Sequence, residues 1–169
     1  MSADRREGVV PGFDDAYRDI LDLARRPDAA QAIVDYLHDR FPAYSWVGLY
    51  WVEGGDLVLG EWRGPQATRH TRIHIGTGIC GAAAASGRTE VVPDVSRDPR
   101  YLACFPSTRS EIVVPIVDGG RVVGEIDIDS TVPNAFGAED QRFLERVAAV
   151  LAEVRRRQGA RSGTAPPGS

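Results

Sequence analysis

The fold is decided between positions 110 and 130. The chain reads Ser110-Glu111-Ile112-Val113-Val114-Pro115-Ile116-Val117, then Asp118-Gly119-Gly120, then Arg121-Val122-Val123-Gly124-Glu125-Ile126-Asp127-Ile128-Asp129-Ser130. Two β-branched runs on either side of an Asp-Gly-Gly reversal spell a β-hairpin. A three-residue turn sets Val117 against Arg121, so Ile112 falls opposite Ile126 and Ile116 opposite Val122 on an apolar side. Side chains alternate with a period of two, so the other side carries Glu111 opposite Asp127, with Glu125 and Asp129 beside them.

Upstream, Ser45-Trp46-Val47-Gly48-Leu49-Tyr50-Trp51-Val52, the reversal Glu53-Gly54-Gly55-Asp56 and Leu57-Val58-Leu59-Gly60 predict a second hairpin. Glu61 to His70 reads as loop, and Arg72-Ile73-His74-Ile75 as a short strand. Small residues from Ile79 to Ser86 predict a helix closed by Gly87, followed by a short strand over Thr89 to Val92. Pro93 to Arg109 is a long polar loop carrying Cys104, and loops of that length are commonly functional. Before the first hairpin, apolar residues at three- and four-residue steps predict helices from Phe13 to Arg26 and from an Asp28 cap to Arg40. After the second, Ala138 to Arg157 reads as a long amphipathic helix whose last turn, Arg155-Arg156-Arg157, suits the negative end of a helix. The expected class is α+β, a central antiparallel sheet flanked by N-terminal helices and a long C-terminal helix. The expected organisation is a flexible lead-in over 1–12, one domain over 13–157 and a disordered tail over 158–169.

Composition bounds the function. The 169 residues are 43% hydrophobic and 26% charged, ordinary for one soluble domain. A net charge of −4 argues against nucleic-acid or anionic-membrane partners. All 20 basic residues are arginine, which excludes lysine-based catalysis and reads as compositional bias. No apolar run approaches a membrane span and the start, MSADRREGVVPGF, has no apolar signal region. With two cysteines and no export signal, the expected compartment is the reducing cytoplasm.

Two clusters could carry chemistry. Glu111, Asp127 and Asp129, with Glu125, form either a solvated outer face or a shielded group in which a carboxyl is protonated or meets a cation. Asp127 and Asp129 are strand-averse acids inside a well-formed strand, so something should compensate for them, and a ligand ammonium would. Cys80 starts a helix, where amide dipoles favour a thiolate, and Cys104 sits in the long loop. The two are either inert buried thiols or a redox pair, the latter only with Cα atoms within ~7 Å. His70 and His74 with two distant cysteines match no zinc spacing, so no metal is expected. His38 reads as a surface residue near Asp35, and Gly76-Thr77-Gly78-Ile79-Cys80-Gly81 lacks the lysine of a phosphate-binding loop. Trp46 and Tyr50 share one strand face, as core or as pocket wall.

Several motifs together resemble the free methionine-(R)-sulfoxide reductases, single-domain proteins of GAF fold. They are Ser45-Trp46-Val47-Gly48-Leu49-Tyr50, Gly78-Ile79-Cys80-Gly81-Ala82-Ala83, Val92-Pro93-Asp94-Val95, Ala103-Cys104, Ser110-Glu111-Ile112-Val113-Val114-Pro115 and Asp127-Ile128-Asp129-Ser130, with Phe136 and Asp140. The resemblance implies thiol-dependent reduction of free L-methionine-(R)-sulfoxide to L-methionine. Cys104 would attack sulfur and become a sulfenic acid, and Cys80 would resolve it as a disulfide. NADPH-linked thioredoxin would be the external reductant, with no bound cofactor. Glu111, Asp127 and Asp129 would bind the ammonium and assist protonation, Trp46 and Tyr50 would wall the S-methyl pocket, and a homodimer is in keeping with the family. The rival is a non-catalytic GAF module that binds or senses a small ligand. Two departures stand out: many members carry a third cysteine where this chain has His70, and Glu125 occupies a usually apolar position.

Overall fold

A computed structural model of the chain describes residues 12–162, so expectations for 1–11 and 163–169 lie outside the described residues. Six strands make one sheet in the order β3-β2-β1-β6-β5-β4, with every neighbouring pair antiparallel. They are β1 (Trp46–Glu53), β2 (Asp56–Arg63), β3 (Arg72–His74), β4 (Glu90–Val92), β5 (Ser110–Asp118) and β6 (Arg121–Ser130). The helices are α1 (Phe13–Leu23), α2 (Ala29–Arg40), α3 (Gly78–Ser86) and α4 (Ala138–Ser162), with a 3-10 turn at Val95–Arg97. This is the expected α+β arrangement.

Alternation along the strands gives the sheet two unlike sides. One presents Val47, Leu49, Trp51, Ile112, Val114, Ile116, Ile126 and Ile128 to α1, α2 and α4, and these residues form the larger core. Phe13, Phe41 and Phe143 seal it, with ring centroids 5.1–5.7 Å apart. The other side presents Trp46, Tyr50 and Val113 beneath α3 and the loop after β4, with Ile79, Cys80, Ala83 and Phe105 packed above them. Small residues in α3 allow a close approach: a Cβ on Gly81 would lie 2.8 Å from the His74 carbonyl oxygen.

The structure corrects four expectations. The β5–β6 turn has two residues, Gly119 and Gly120, both at positive φ (58° and 78°), and Asp118 pairs with Arg121. An irregularity between Ile116 and Val117 then shifts the register again, so Ile116 faces Gly124 and Glu111 faces Asp129, not Asp127. Beyond the irregularity the offset is two residues, an even number, so Glu111, Glu125, Asp127 and Asp129 keep their expected face, whereas Val122, expected with Ile116 on the apolar side, packs in the cluster around Cys80. Asp28 precedes α2 without capping it, because its carboxylate takes the Arg26 guanidinium at 2.8 Å. Finally, α4 continues through Ser162, past the Arg157 boundary, with Arg156 held by Asp118 at 2.6 Å.

Candidate active site

The second side of the sheet buries four acids. Glu111 on β5 is 5% exposed, and on β6 Glu125 is fully buried, Asp127 2% exposed and Asp129 3% exposed. Their place follows from the strand period: positions 125, 127 and 129 share a face, and antiparallel pairing sets Glu111 beside them. On β1, Trp46 faces Asp129, Gly48 faces Asp127 and Tyr50 faces Glu125. Gly48 is required there. A Cβ at that position would sit 2.2 Å from Cη2 of Trp46, whose indole lies flat over it. Trp46 also stacks on Trp62 at 6.2 Å and leans on Phe105 at 5.8 Å, beside Cys104. The Tyr50 hydroxyl donates to the His70 carbonyl at 2.7 Å. His70 therefore positions Tyr50 through its backbone.

The thiols come to the same side. The Cys80 thiol, third residue of α3, lies 3.5 Å from Asp127 Oδ2 and 4.0 Å from Glu111 Oε1. Cys104, half-buried in the loop, packs against the same apolar cluster and feels the charges of Asp127 and Asp129. That loop is pinned at its ends, where Val95 N–H donates to the Arg109 carbonyl and Arg109 N–H to the Ser130 carbonyl. Phe105, Leu102 and Tyr101 lie with Cys104 as its cover.

The electrostatics follow from crowding acids away from water. Burial, then the charges of Asp127 and Asp129, drives Glu111 well above its usual range. Burial and Asp127 do the same to Asp129 and Glu125. Burial raises Asp127 too, opposed by hydrogen bonds from Glu111 and Cys80, and Glu111 and Asp127 titrate as one coupled pair that retains a proton above the usual carboxylate range. No cationic side chain pairs with the four acids among the described residues. Both oxygens of Glu125, Asp127 Oδ1, Asp129 Oδ1 and Trp46 Nε1 have no hydrogen-bond partner.

The cysteines do not behave as the helix-dipole argument expected. Burial, reinforced by Asp127, Glu125 and Glu111, pushes the Cys80 thiol well up. Buried anions outweigh the partial charge of a helix start. Burial and then Asp127 push Cys104 up to about 12, against a hydrogen bond from Thr68. Both are thiols at neutral pH.

Every residue expected in the site therefore lies on one side of the sheet: Cys104, Cys80, Glu111, Asp127, Asp129, Trp46 and Tyr50. Glu125 belongs with them. Sequence reasoning missed Thr68 and Phe105; alternation puts Gly48 on the face of Trp46 and Tyr50, and a glycine inside an aromatic strand signals the close approach seen here. His74 lies apart, exposed and 3.0 Å from Asp56, and His38 pairs with Asp39 rather than Asp35. Among the described residues, Cys80, Glu111 and Asp127 are the set that could hold a metal ion, their ligand atoms lying within 4.8 Å of one another. A surface hollow between α1 and α4, lined by Phe13, Asp14, Arg18, Arg142 and Arg146, contains neither cysteine.

Comparisons with known proteins point the same way. The GAF domain family matches residues 25–154. The free methionine-R-sulfoxide reductase of Escherichia coli is 37% identical over 118 residues, 70% of this chain and 70% of that protein. The solved structure of the type II free methionine-R-sulfoxide reductase from Thermoplasma acidophilum is similar at 41% identity and a TM-score of 0.74, covering 82% of this chain and 96% of the other. That of the Neisseria meningitidis free methionine-R-sulfoxide reductase, solved in complex with its substrate, aligns at 34% identity and a TM-score of 0.76, covering 87% and 89%.

Proposed function

The chain belongs to the free methionine-R-sulfoxide reductases of the GAF domain family, and from that premise we propose that it reduces free L-methionine-(R)-sulfoxide to L-methionine through Cys104. One observation supports the assignment of roles: two thiols and four buried acids share a face where, among the described residues, no cationic side chain pairs with them. A free amino acid brings the missing cation. Its ammonium would pair with Asp127, Asp129 and Glu111, while a methionine inside a polypeptide has no ammonium to offer, so the cradle selects the unblocked substrate. The S-methyl group would lie against Trp46 and Tyr50.

The chemistry balances as follows. The sulfoxide oxygen is a poor leaving group until protonated, and Glu111, a carboxylic acid kept neutral by its neighbours, supplies the proton. The arriving ammonium offsets the anions that hold up the Cys104 thiol, so substrate binding itself favours the nucleophilic thiolate. Cys104 attacks sulfur, oxygen passes to the cysteine as a sulfenic acid, and methionine leaves as the thioether; sulfur is reduced by two electrons and the thiol oxidised by two. The Cys80 thiol then condenses with the sulfenic acid, forming a disulfide and releasing water. An external dithiol, thioredoxin being the candidate, exchanges with that disulfide and restores both thiols. Protein supplied with racemic free methionine sulfoxide and a dithiol should consume half of it, the R epimer. Equal consumption of a blocked substrate such as N-acetylmethionine sulfoxide would end the ammonium argument.

A further inference from the structure

The reductase reading, which uses Cys80 as the resolving thiol, gives no reason for its place among the acids and no part to Glu125. Asp127, Asp129 and Glu111 suffice to hold an ammonium, yet a sulfur atom is wedged among the acids at Cys80. Behind it Glu125 is fully buried with neither carboxyl oxygen hydrogen-bonded, its charge acting on that same thiol. Sulfur together with carboxylate oxygens is the donor set of a borderline-soft divalent cation, not of magnesium or calcium.

The distances agree. Zn–S and Zn–O bonds of about 2.3 and 2.0 Å at a tetrahedral angle put sulfur and oxygen ~3.5 Å apart and two oxygens ~3.3 Å apart. Cys80 Sγ is 3.5 Å from Asp127 Oδ2 and 4.0 Å from Glu111 Oε1, so one edge already has the tetrahedral length and the other needs about half an ångström. All three ligand atoms lie within 4.8 Å of one another and all three residues are buried. Glu125 lies outside that set of three, and its buried carboxyl, which acts on the Cys80 thiol, is an anion behind the ligands.

We propose that Cys80, Glu111 and Asp127, backed by Glu125, form a site for a zinc-type divalent cation, and that such an ion blocks the cradle by claiming two of its acids. On binding, the Cys80 thiol proton and the carboxyl proton held between Glu111 and Asp127 go to solvent and a metal–thiolate bond forms, with no change of oxidation state. The ion and a substrate ammonium compete for Glu111 and Asp127. Cys104 takes no part in holding the ion. The metal site itself stands whether or not the chain turns over a sulfoxide.

Cadmium is the probe, because a cadmium–thiolate bond gives an ultraviolet charge-transfer band. Chelator-treated, reduced, full-length protein is titrated with Cd²⁺ and binding is read from that band, with no assay of activity. The band should saturate at one equivalent in the wild type and in Cys104→Ser, and be missing in Cys80→Ser. Glu125→Gln should weaken binding about 10-fold or more, as loss of a supporting anion does. No band in the wild type, a band that survives Cys80→Ser, or a band lost with Cys104→Ser overturns the site. Should Cys80→Ser not fold, Glu111→Gln takes its place, with unweakened binding as the contrary result.

Discussion

Glu125 gives the sharpest test of the buried acid cluster, because its effect on stability must depend on pH in one direction. The side chain is fully buried, neither oxygen has a partner, and burial followed by the Asp127 charge holds its carboxyl well above the usual range. In the unfolded chain a glutamate ionises near ~4.3. Between that value and its raised value in the fold, the native protein holds a proton that the unfolded chain has lost. Stability is therefore fully present below the unfolded value and declines as pH rises, by about 1.4 kcal/mol per pH unit. Glutamine at this position keeps the shape and does not titrate. Glu125→Gln should match the wild type near pH 4 and then gain on it as pH rises, by about 1.4 kcal/mol per unit at most, for as long as the folded wild type holds the proton. For a chain of this length ~1 kcal/mol moves the melting temperature by roughly 2–4 °C, so the gap should widen by about 3–6 °C per unit at most. Thermal melts of chelator-treated protein across pH 4.5–7.5, followed by circular dichroism, measure it. The other three acids contribute with the same sign in both proteins and largely cancel in the difference. A gap that stays constant, or a wild type that gains on the variant as pH rises, would mean that Glu125 is ionised and paired in the fold, and would refute the reasoning.

Two further outcomes are expected. Gly48→Ala puts a methyl group where the Trp46 indole lies, 2.2 Å from Cη2, so the ring must move; overpacking of this kind costs about 1–3 kcal/mol, and both the melting temperature and the affinity for sulfoxide should fall. Asp129→Asn removes one acid of the cradle, whose Oδ1 has no partner within the fold. Loss of one member of a buried charge pair costs about 2 kcal/mol or more, so kcat/KM for the free amino acid should drop roughly 30-fold while that for an N-acetylated analogue changes little. Unchanged selectivity would remove Asp129 from the ammonium site.

Much of this site was legible in the sequence because strand alternation is robust. The turn was read one residue too long and the register irregularity was invisible, yet a two-residue offset left Glu111, Glu125, Asp127 and Asp129 on their expected face. Pairing within the cluster was not legible: which acid faces which depends on the turn type and on the irregularity near Val117, both set by backbone geometry. The ionisation of the cysteines was misread for a related reason. Position at a helix start is visible in sequence, whereas the three carboxyls that override it at Cys80 come from strands more than thirty residues away. Asp28 shows the local version, where an arginine two residues earlier competes with the helix for the carboxylate. Phe105 and Thr68 were not legible, because their roles come from how two separate loops, the long one carrying Cys104 and the connection between β2 and β3, meet over the sheet.

The central claim, that Cys104 is the group that takes oxygen from a free amino-acid sulfoxide, is tested most directly by a single turnover without reductant. Reduced protein is mixed with excess L-methionine-(R)-sulfoxide, quenched, and both methionine and the protein's mass are read. The wild type should release one equivalent of methionine and end with a Cys80–Cys104 disulfide. Cys80→Ser should release the same equivalent and stop with a sulfenic acid at Cys104, while Cys104→Ser should release none. Methionine formed by Cys104→Ser, or none formed by the wild type, would contradict the account.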